Sequence, residues 1–343
     1  MEQRHSSDLN SDKPTLRHAT IPSMKRRMKG KDYHERTIYM ITLVVAGRRK
    51  LFGEIEGDIR SCYGEASYPH IVLSTLGEAV KEQITGLPRY YPQLTVSGYQ
   101  IMPDHLHLIL FVHETLPCHL GMVIRGFVQG CNKAYRRIVP QKAVTAPATE
   151  KRDRRGDGIL FEHGYNDKVL LHQGQLKTWI HYLADNPRRL MVKRSYPDYF
   201  RVQRNIQEKG VTFSAIGNLF LLRKPLLQVQ CSRRLSETEI QAVTVRALTE
   251  CAAGAVMVSP CISPGEKAVM RTVFEKGYPE IVLLENGFTA LAKPGGARFD
   301  ACARGQLLLL APWEHHTDKR VITRLQCTML NNMAAALCNG KRL

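Results

Sequence analysis

Residues 94–112, LTVSGYQIMPDHLHLILFV, constrain the chain more than any other stretch. Two apolar runs, Leu94 to Met102 and Leu106 to Val112, read as strands broken by Pro103-Asp104. Along a strand, residues two apart point to the same side. His105, His107, Ile109 and Phe111 therefore share one face, and Leu106, Leu108, Leu110 and Val112 share the other. This arrangement sets two imidazoles on a rigid sheet, close enough to hold one metal ion. The chain has 13 histidines among 343 residues, so roughly half an H-x-H pair arises by chance. Taken alone, the pair also suits two stacked structural histidines.

A second segment bears on that choice. Gln173 to Asn186 reads as a helix stopped by Pro187. It is expected to pack through Leu176, Trp179, Ile180 and Leu183. Gln175, Thr178, Tyr182 and Asn186 form a polar stripe beside that core stripe. Tyr182 and Asn186 are four apart and lie one turn apart on the same face, so a phenol and an amide oxygen point together at whatever the helix covers. The plain alternative is a half-buried structural tyrosine and an asparagine that ends a helix. Arg188, Arg189, Lys193 and Arg194 follow at once.

Charge narrows the partner. The formal net charge is +18 and the pI about 9.6, which favours an anionic partner, nucleic acid or an acidic membrane surface. No apolar run reaches the ~20 residues of a membrane-spanning helix. The N-terminus lacks the apolar stretch of a signal peptide. Nucleic acid is therefore the expected partner, with no membrane and a cytoplasmic location. The nine cysteines are odd in number, and no two stand in a C-x-x-C pair. Buried free thiols, rather than a zinc ribbon or disulfide framework, are expected.

Residues 1–32 read as a basic flexible tail containing Lys25-Arg26-Arg27. Thr37 to Ala46 reads as a strand, Leu51 to Ile59 as a weaker one, and Pro69 to Thr85 as a helix with proline near its start. Leu116 to Ile138 reads as a basic helix, and residues 139–158 as a loop insertion. Between Lys133 and Arg155 there are eight Lys or Arg and two acidic residues, either a solvated charged loop or a phosphate-contacting surface. Gly164 to Leu171 suggests a short strand.

After about residue 200 the pattern changes. Short apolar runs at Leu226 to Gln230, Ala255 to Ser259, Glu280 to Leu284 and Gln306 to Ala311 are interspersed with helical patterns at Glu237 to Cys251 and Pro264 to Lys276. A last helix is expected from about Asp318 to Leu337. Such alternation argues for a parallel α/β sheet. The expected division is a tail (1–32), a first domain (33–200), a linker (201–210) and a second domain (211–343).

The order of motifs in the first domain resembles a known family. Met102-Pro103-Asp104-His105-Leu106-His107 is followed by a basic helix. Then come Gly164-Tyr165-Asn166-Asp167 and Tyr182-Leu183-Ala184-Asp185-Asn186-Pro187. This is similar to the insertion sequence 200-like transposases, and within them to the REP-associated tyrosine transposases of the HUH superfamily of single-strand endonucleases. The likeness covers about residues 33–198. It implies a ferredoxin-like or RRM-like antiparallel sheet with helices, of α+β class. His105 and His107 would be metal ligands, Tyr182 the nucleophile, and Asn186 would stand where the family often has a third polar ligand. Two features depart from the pattern: the 75 residues from His107 to Tyr182, and the whole C-terminal half.

The resemblance implies cleavage and rejoining of hairpin-bearing single-stranded DNA through a 5′-phosphotyrosine link. A divalent metal would assist, magnesium or manganese, with zinc as runner-up. Arg125, Lys133, Arg136, Arg188 and Arg189 are the candidate backbone contacts. A catalytically silent DNA-binding regulator and a nickase of relaxase or replication-initiator type are the competing readings. Monomer and homodimer both stay open.

The C-terminal half faintly resembles the Rossmann-like nucleotide-sensing fold of DNA-processing protein A. Ser263-Pro264-Gly265-Glu266 and Lys293-Pro294-Gly295-Gly296 each precede a segment where backbone N–H groups could meet a phosphate. A structural or partner-binding role is the expected one, because neither G-x-G-x-x-G nor G-K-[ST] occurs.

Overall fold

A computed structural model describes residues 28, 30–139, 160–318 and 320–343. Most of the expected basic tail and nearly all of the insertion expected at 139–158 lie outside the described residues. The chain divides into two compact units, with the boundary between Arg188 and Arg189.

The first unit contains β1 (Thr37–Val44), β2 (Gly53–Glu56), β3 (His70–Leu73), α1 (Thr75–Thr85), α2 (Leu87–Tyr90), β4 (Leu94–Met102), β5 (His105–Val112), α3 (Leu120–Ile138) and β6 (Asn166–Val169). Helix α4 (Gln175–Ser195) begins in this unit and runs across the boundary. The main sheet has the order β4-β5-β1-β6, and all its pairs are antiparallel. Strands β2 and β3 form a separate two-stranded ladder.

The helix expected from Pro69 begins six residues later. His70–Leu73 is drawn into the ladder with β2, and Ser74 caps α1 by accepting the Gly77 N–H at 3.1 Å. A β-branched pair, Ile71-Val72, suits that strand better than a first helical turn.

One face of the main sheet meets α1 and α3. Leu106, Leu108, Leu110 and Val112 of β5 pack there with Val80 and Ile84 of α1 and with Val123, Phe127 and Cys131 of α3. The opposite face meets α4, through Met40, Ile109, Trp179 and Leu183. The two-residue alternation of β5 thus separates a wholly apolar layer from one that mixes apolar and polar groups. Ile180, expected in the core stripe, is 45% exposed. The packed positions are Leu176, Trp179 and Leu183, spaced three and four apart, and Ile180 falls just beyond that narrow seam.

The second unit contains β7 (Gln203–Glu208), β8 (Val211–Gly217), β9 (Leu226–Gln228), α5 (Glu237–Ala252), β10 (Val256–Ser259), α6 (Pro264–Glu275), β11 (Glu280–Leu283), α7 (Ala297–Ala303), β12 (Leu307–Ala311) and α8 (Arg324–Leu337). Its sheet has the order β7-β8-β12-β11-β10-β9. Strands β9 to β12 run parallel, whereas β8 and β7 extend the sheet antiparallel. The parallel arrangement expected from the alternation of apolar runs and helices is therefore present. The linker expected at 201–210 is instead mostly strand, because β7 pairs with β8 across the turn at Lys209-Gly210. One face of this sheet packs Val256, Val258, Ile281, Leu283, Leu308 and Leu310 against Leu330, Ala334 and Leu337 of α8.

All nine cysteines are free thiols, and Cys131, Cys231, Cys251, Cys302 and Cys338 are buried. Among the described residues, no helix is long and apolar enough to cross a membrane.

Candidate active site

Strand β5 is central in its sheet, paired with β4 on one side and β1 on the other. Its register against β1 sets Thr42 opposite His107 and Val44 opposite His105. Both imidazoles lie on the sheet face that α4 covers, with ring centroids 5.0 Å apart and planes nearly perpendicular.

The two rings are held in the same way. Thr42 Oγ1 and His107 Nδ1 are 2.8 Å apart, and Asp104 Oδ1 and His105 Nδ1 are 2.6 Å apart. Each Nδ1 is thus engaged, which leaves Nε2 as the ring nitrogen that could meet a ligand, the arrangement that orients metal-binding histidines. Asp104 also pairs with Arg48 at 3.3 Å. The hydrogen bond from His105 holds the Asp104 carboxyl below its usual range, against the opposing effect of burial.

His107 is 7% exposed. Burial, and then the nearby His105 and Lys168, push its pKa down to about 3. It is a neutral imidazole at any physiological pH, the form with a lone pair to offer.

Helix α4 brings Tyr182 to this face. Its ring centroid stands 6.0 Å from that of His107, in an edge-on arrangement. Tyr182 is 40% exposed, so its ring is reachable from solvent. One turn on, Asn186 is buried, and its Nδ2 makes no hydrogen bond. The two ends of an amide differ little in shape, so this unpartnered group offers an oxygen equally well. The helix is pinned here by Asp185. Its carboxylate accepts from Tyr68 Oη at 3.0 Å and from Arg188 Nε at 2.6 Å. Burial beside Asp185 pushes the Tyr68 hydroxyl up to about 12, so it stays a donor.

The donor set matches a divalent ion in chemistry. Two imidazoles with engaged Nδ1 atoms and one unpartnered amide leave further positions open for phosphate oxygens. Among the described residues no group of three or more His, Cys, Asp or Glu could hold a metal.

The candidate DNA contacts divide. Arg125, Lys133 and Arg136 are exposed on α3, which covers the sheet face opposite the histidines. They are not brought to the imidazole pair. Arg188 is engaged with Asp185, and the Arg189 guanidinium lies 3.8 Å from the centre of the Phe299 ring. Helix α4 continues through Pro187 to Ser195 instead of stopping, which commits both arginines to helix packing.

Lys168 carried no expectation from the sequence. It is exposed on β6 opposite Met40, which places it on the histidine side of the sheet. Thr42 likewise escaped notice. Its only signal is a polar residue on the same side of Thr37–Val44 as Ile38, Met40 and Val44. Asp167, from the G-Y-x-D motif, has a structural partner: Tyr33 Oη donates to its Oδ2 at 2.6 Å in the interior.

In the second unit, the start of α6 is already filled. The Glu266 carboxylate accepts from the backbone N–H groups of Cys231, Ile262 and Ser263, while Ser263 Oγ accepts from Glu266 N–H. This capping box takes up the donors that the sequence offered to a phosphate. The other candidate, Lys293 to Gly296, precedes only the seven-residue α7.

No family model matches the chain. An uncharacterized protein of Haemophilus influenzae is 24% identical over 167 residues, which are 47% of this chain and 86% of that protein. Three solved structures are similar in part. A candidate transposase from Deinococcus radiodurans has 12% identity and a TM-score of 0.27, over 46% of this chain and 98% of that one. A REP-associated tyrosine transposase bound to a REP hairpin has 10% identity and a TM-score of 0.28, over 47% and 73%. DNA processing protein A from Helicobacter pylori, described for its binding of single-stranded DNA, has 17% identity and a TM-score of 0.30, over 40% and 65%. Likenesses of this strength carry no argument about what the chain does.

Proposed function

We propose that the first unit is a single-strand DNA endonuclease and strand transferase that uses Tyr182 as nucleophile. The observation that carries this reading is the meeting of three rings on one sheet face: His105 and His107 at 5.0 Å, and His107 and Tyr182 at 6.0 Å. The β1-α1-β4-β5-α3-β6 order, with β1 between β5 and β6, is a ferredoxin-like arrangement. It supports a fold of the HUH endonuclease type.

A divalent ion, magnesium or manganese, held by His105, His107 and Asn186, would polarise the scissile phosphate and steady the departing oxygen. Tyr182 Oη attacks the phosphorus and gives up its proton. The 3′-oxygen leaves with the bonding electron pair and takes up a proton from solvent to become a 3′-hydroxyl, the phenol's proton passing to solvent, and a 5′-phosphotyrosine remains. A 3′-hydroxyl attacking that link restores both the phosphodiester and the free phenol, so no outside energy source is needed. Thr42 and Asp104 hold the two imidazoles in orientation, and the Asp104 carboxylate, an acceptor, favours Nδ1–H on His105. The Asp185 network keeps Tyr182 and Asn186 on the covered side of α4. The +18 charge favours a polyanion, and a single strand bends its backbone into such a site more cheaply than a duplex. Lys168 is the cation best located to meet a phosphate beside His107. The second unit, with four parallel strands and intervening helices, we read as a Rossmann-like α/β domain.

The test is incubation with hairpin-bearing single-stranded oligonucleotides and manganese, followed by a denaturing gel. A covalent protein–DNA band is expected from the native chain and from neither Tyr182→Phe nor His107→Ala. A band that persists in Tyr182→Phe overturns the assignment of the nucleophile. Binding of the strand with no band under any metal favours a silent DNA-binding regulator.

A further inference from the structure

The second unit contains a cleft of about 680 Å³ between α6, α7 and the sheet. In β11, Ile281 and Leu283 point to the core shared with α8, so Glu280 and Val282 face the other way, toward this cleft. Glu280 is 5% exposed, and its Oε2 is buried without a hydrogen-bond partner. Its neighbours in register are Met257 and Leu307.

A carboxyl at such a position is costly. Buried polar atoms in folded proteins are paired in the great majority of cases, and an orphan calls for a reason. An apolar residue would serve the sheet better at this point. Burial pushes the Glu280 carboxyl up to about 7, with only the more distant Arg298 opposing. The carboxyl is short of donors, and the cleft beside it is open to a molecule that brings them.

The rest of the lining says what else that molecule carries. Met270 and Phe274 of α6 give an apolar wall next to Val282, suited to the face of a flat ring. Lys267, Arg271 and Arg298 line the same cleft, are exposed, and form no ion pair among the described residues. The cleft therefore combines an acceptor at its floor, an apolar wall and three cations. Its volume lies within the roughly 300–1,000 Å³ of small-molecule sites.

We propose that this cleft binds a nucleotide, the base resting on Phe274 and Met270 with its N–H donors on Glu280, and the phosphate among Lys267, Arg271 and Arg298. Guanine, which carries two donors side by side on one edge, matches a carboxylate best. The same chemistry is offered by a free mononucleotide and by the 5′-phosphorylated end of a DNA strand. The inference is independent of the tyrosine site, because every residue it uses belongs to the second unit.

The experiment is calorimetric titration of the full-length protein with each of the four nucleoside monophosphates and with short 5′-phosphorylated oligonucleotides. Two variants accompany it. Glu280→Gln keeps the shape and removes the charge, and Lys267→Ala with Arg271→Ala alters only exposed side chains. Binding that is strongest for guanosine monophosphate, and weakened at least about tenfold by each variant, supports the site and assigns it to a free nucleotide. Binding by the oligonucleotide alone, with the same losses, supports it and assigns it to a strand end. Absence of binding by every probe at about 1 mM overturns the proposal. So does binding that the lysine and arginine changes abolish but Glu280→Gln leaves intact, since the base would then make no use of the carboxyl.

Discussion

Thr42 and Lys168 are the two side chains whose roles follow most directly from geometry. Thr42 fixes the His107 ring through Nδ1 at 2.8 Å. Thr42→Val keeps the branched shape and removes the hydroxyl, so the strand survives while the ring loses its orienting partner. Losses of about 10- to 100-fold in metal affinity or activity are usual for such partners. A manganese titration of the cleavage reaction should move by that order, with the melting temperature nearly unchanged. A titration curve identical to the native one would mean that the hydroxyl does nothing for the ring. Lys168 makes a separate case. A single phosphate contact contributes about 0.7 to the slope of log affinity against log salt for single strands. Lys168→Ala is expected to flatten that slope by about this amount, and Arg125→Ala on α3 to leave cleavage unaffected. The reverse pattern would relocate the DNA path to the other face of the sheet.

Among the elements, α4 decides whether the site exists, because it brings Tyr182 and Asn186 to the histidine face. Its seam is narrow: Trp179 is 7% exposed and Leu183 is 3% exposed. Trp179→Ala is expected to cost about 3–5 kcal/mol of stability, whereas Ile180→Ser should stay within about 0.5 kcal/mol. Urea unfolding of the two variants distinguishes them, and equal losses would contradict the packing described. This helix also indicates what the sequence made legible. The alternation around His105 and His107 set their common face correctly, since period two in a central strand leaves no other choice. The i, i+4 relation of Tyr182 and Asn186 is equally local, and it survived. Ile180 did not, because apolar character alone does not say how wide a contact seam is. Pro187 reads as a stop in the sequence. Proline lacks an N–H and disfavours the helix before it, yet packing carries α4 through to Ser195. Strand β7 is polar at all positions but Ile206, and becomes a strand only through its pairing with β8. Such partners lie beyond any window read along the chain. The same holds for Thr42, whose importance rests on a register 65 residues away.

At the scale of the whole molecule, each of the two units has its own core, so a change confined to one should be read in that unit's unfolding. Glu280 offers such a change. Its carboxyl is raised from 4.5 to about 7 by burial. Below pH 4.5 the group is protonated both folded and unfolded, and its ionisation adds no cost. Between 4.5 and 7 the unfolded chain releases the proton while the folded one keeps it. The folded state then binds more protons, and stability falls as pH rises. Above 7 the folded carboxyl is ionised too, and the full cost is present, at most on the order of 3 kcal/mol. Glu280→Gln removes this dependence. Without ligand, the variant should therefore melt higher than the native chain at pH 8 and almost equally at pH 4. The difference should open through the interval from 4.5 to 7, in the transition of the second unit alone. Calorimetry across that range reads it directly. A variant less stable than the native chain at pH 8 would mean that the ionised carboxyl is satisfied where it stands, and the cleft would lose its reason to receive a donor.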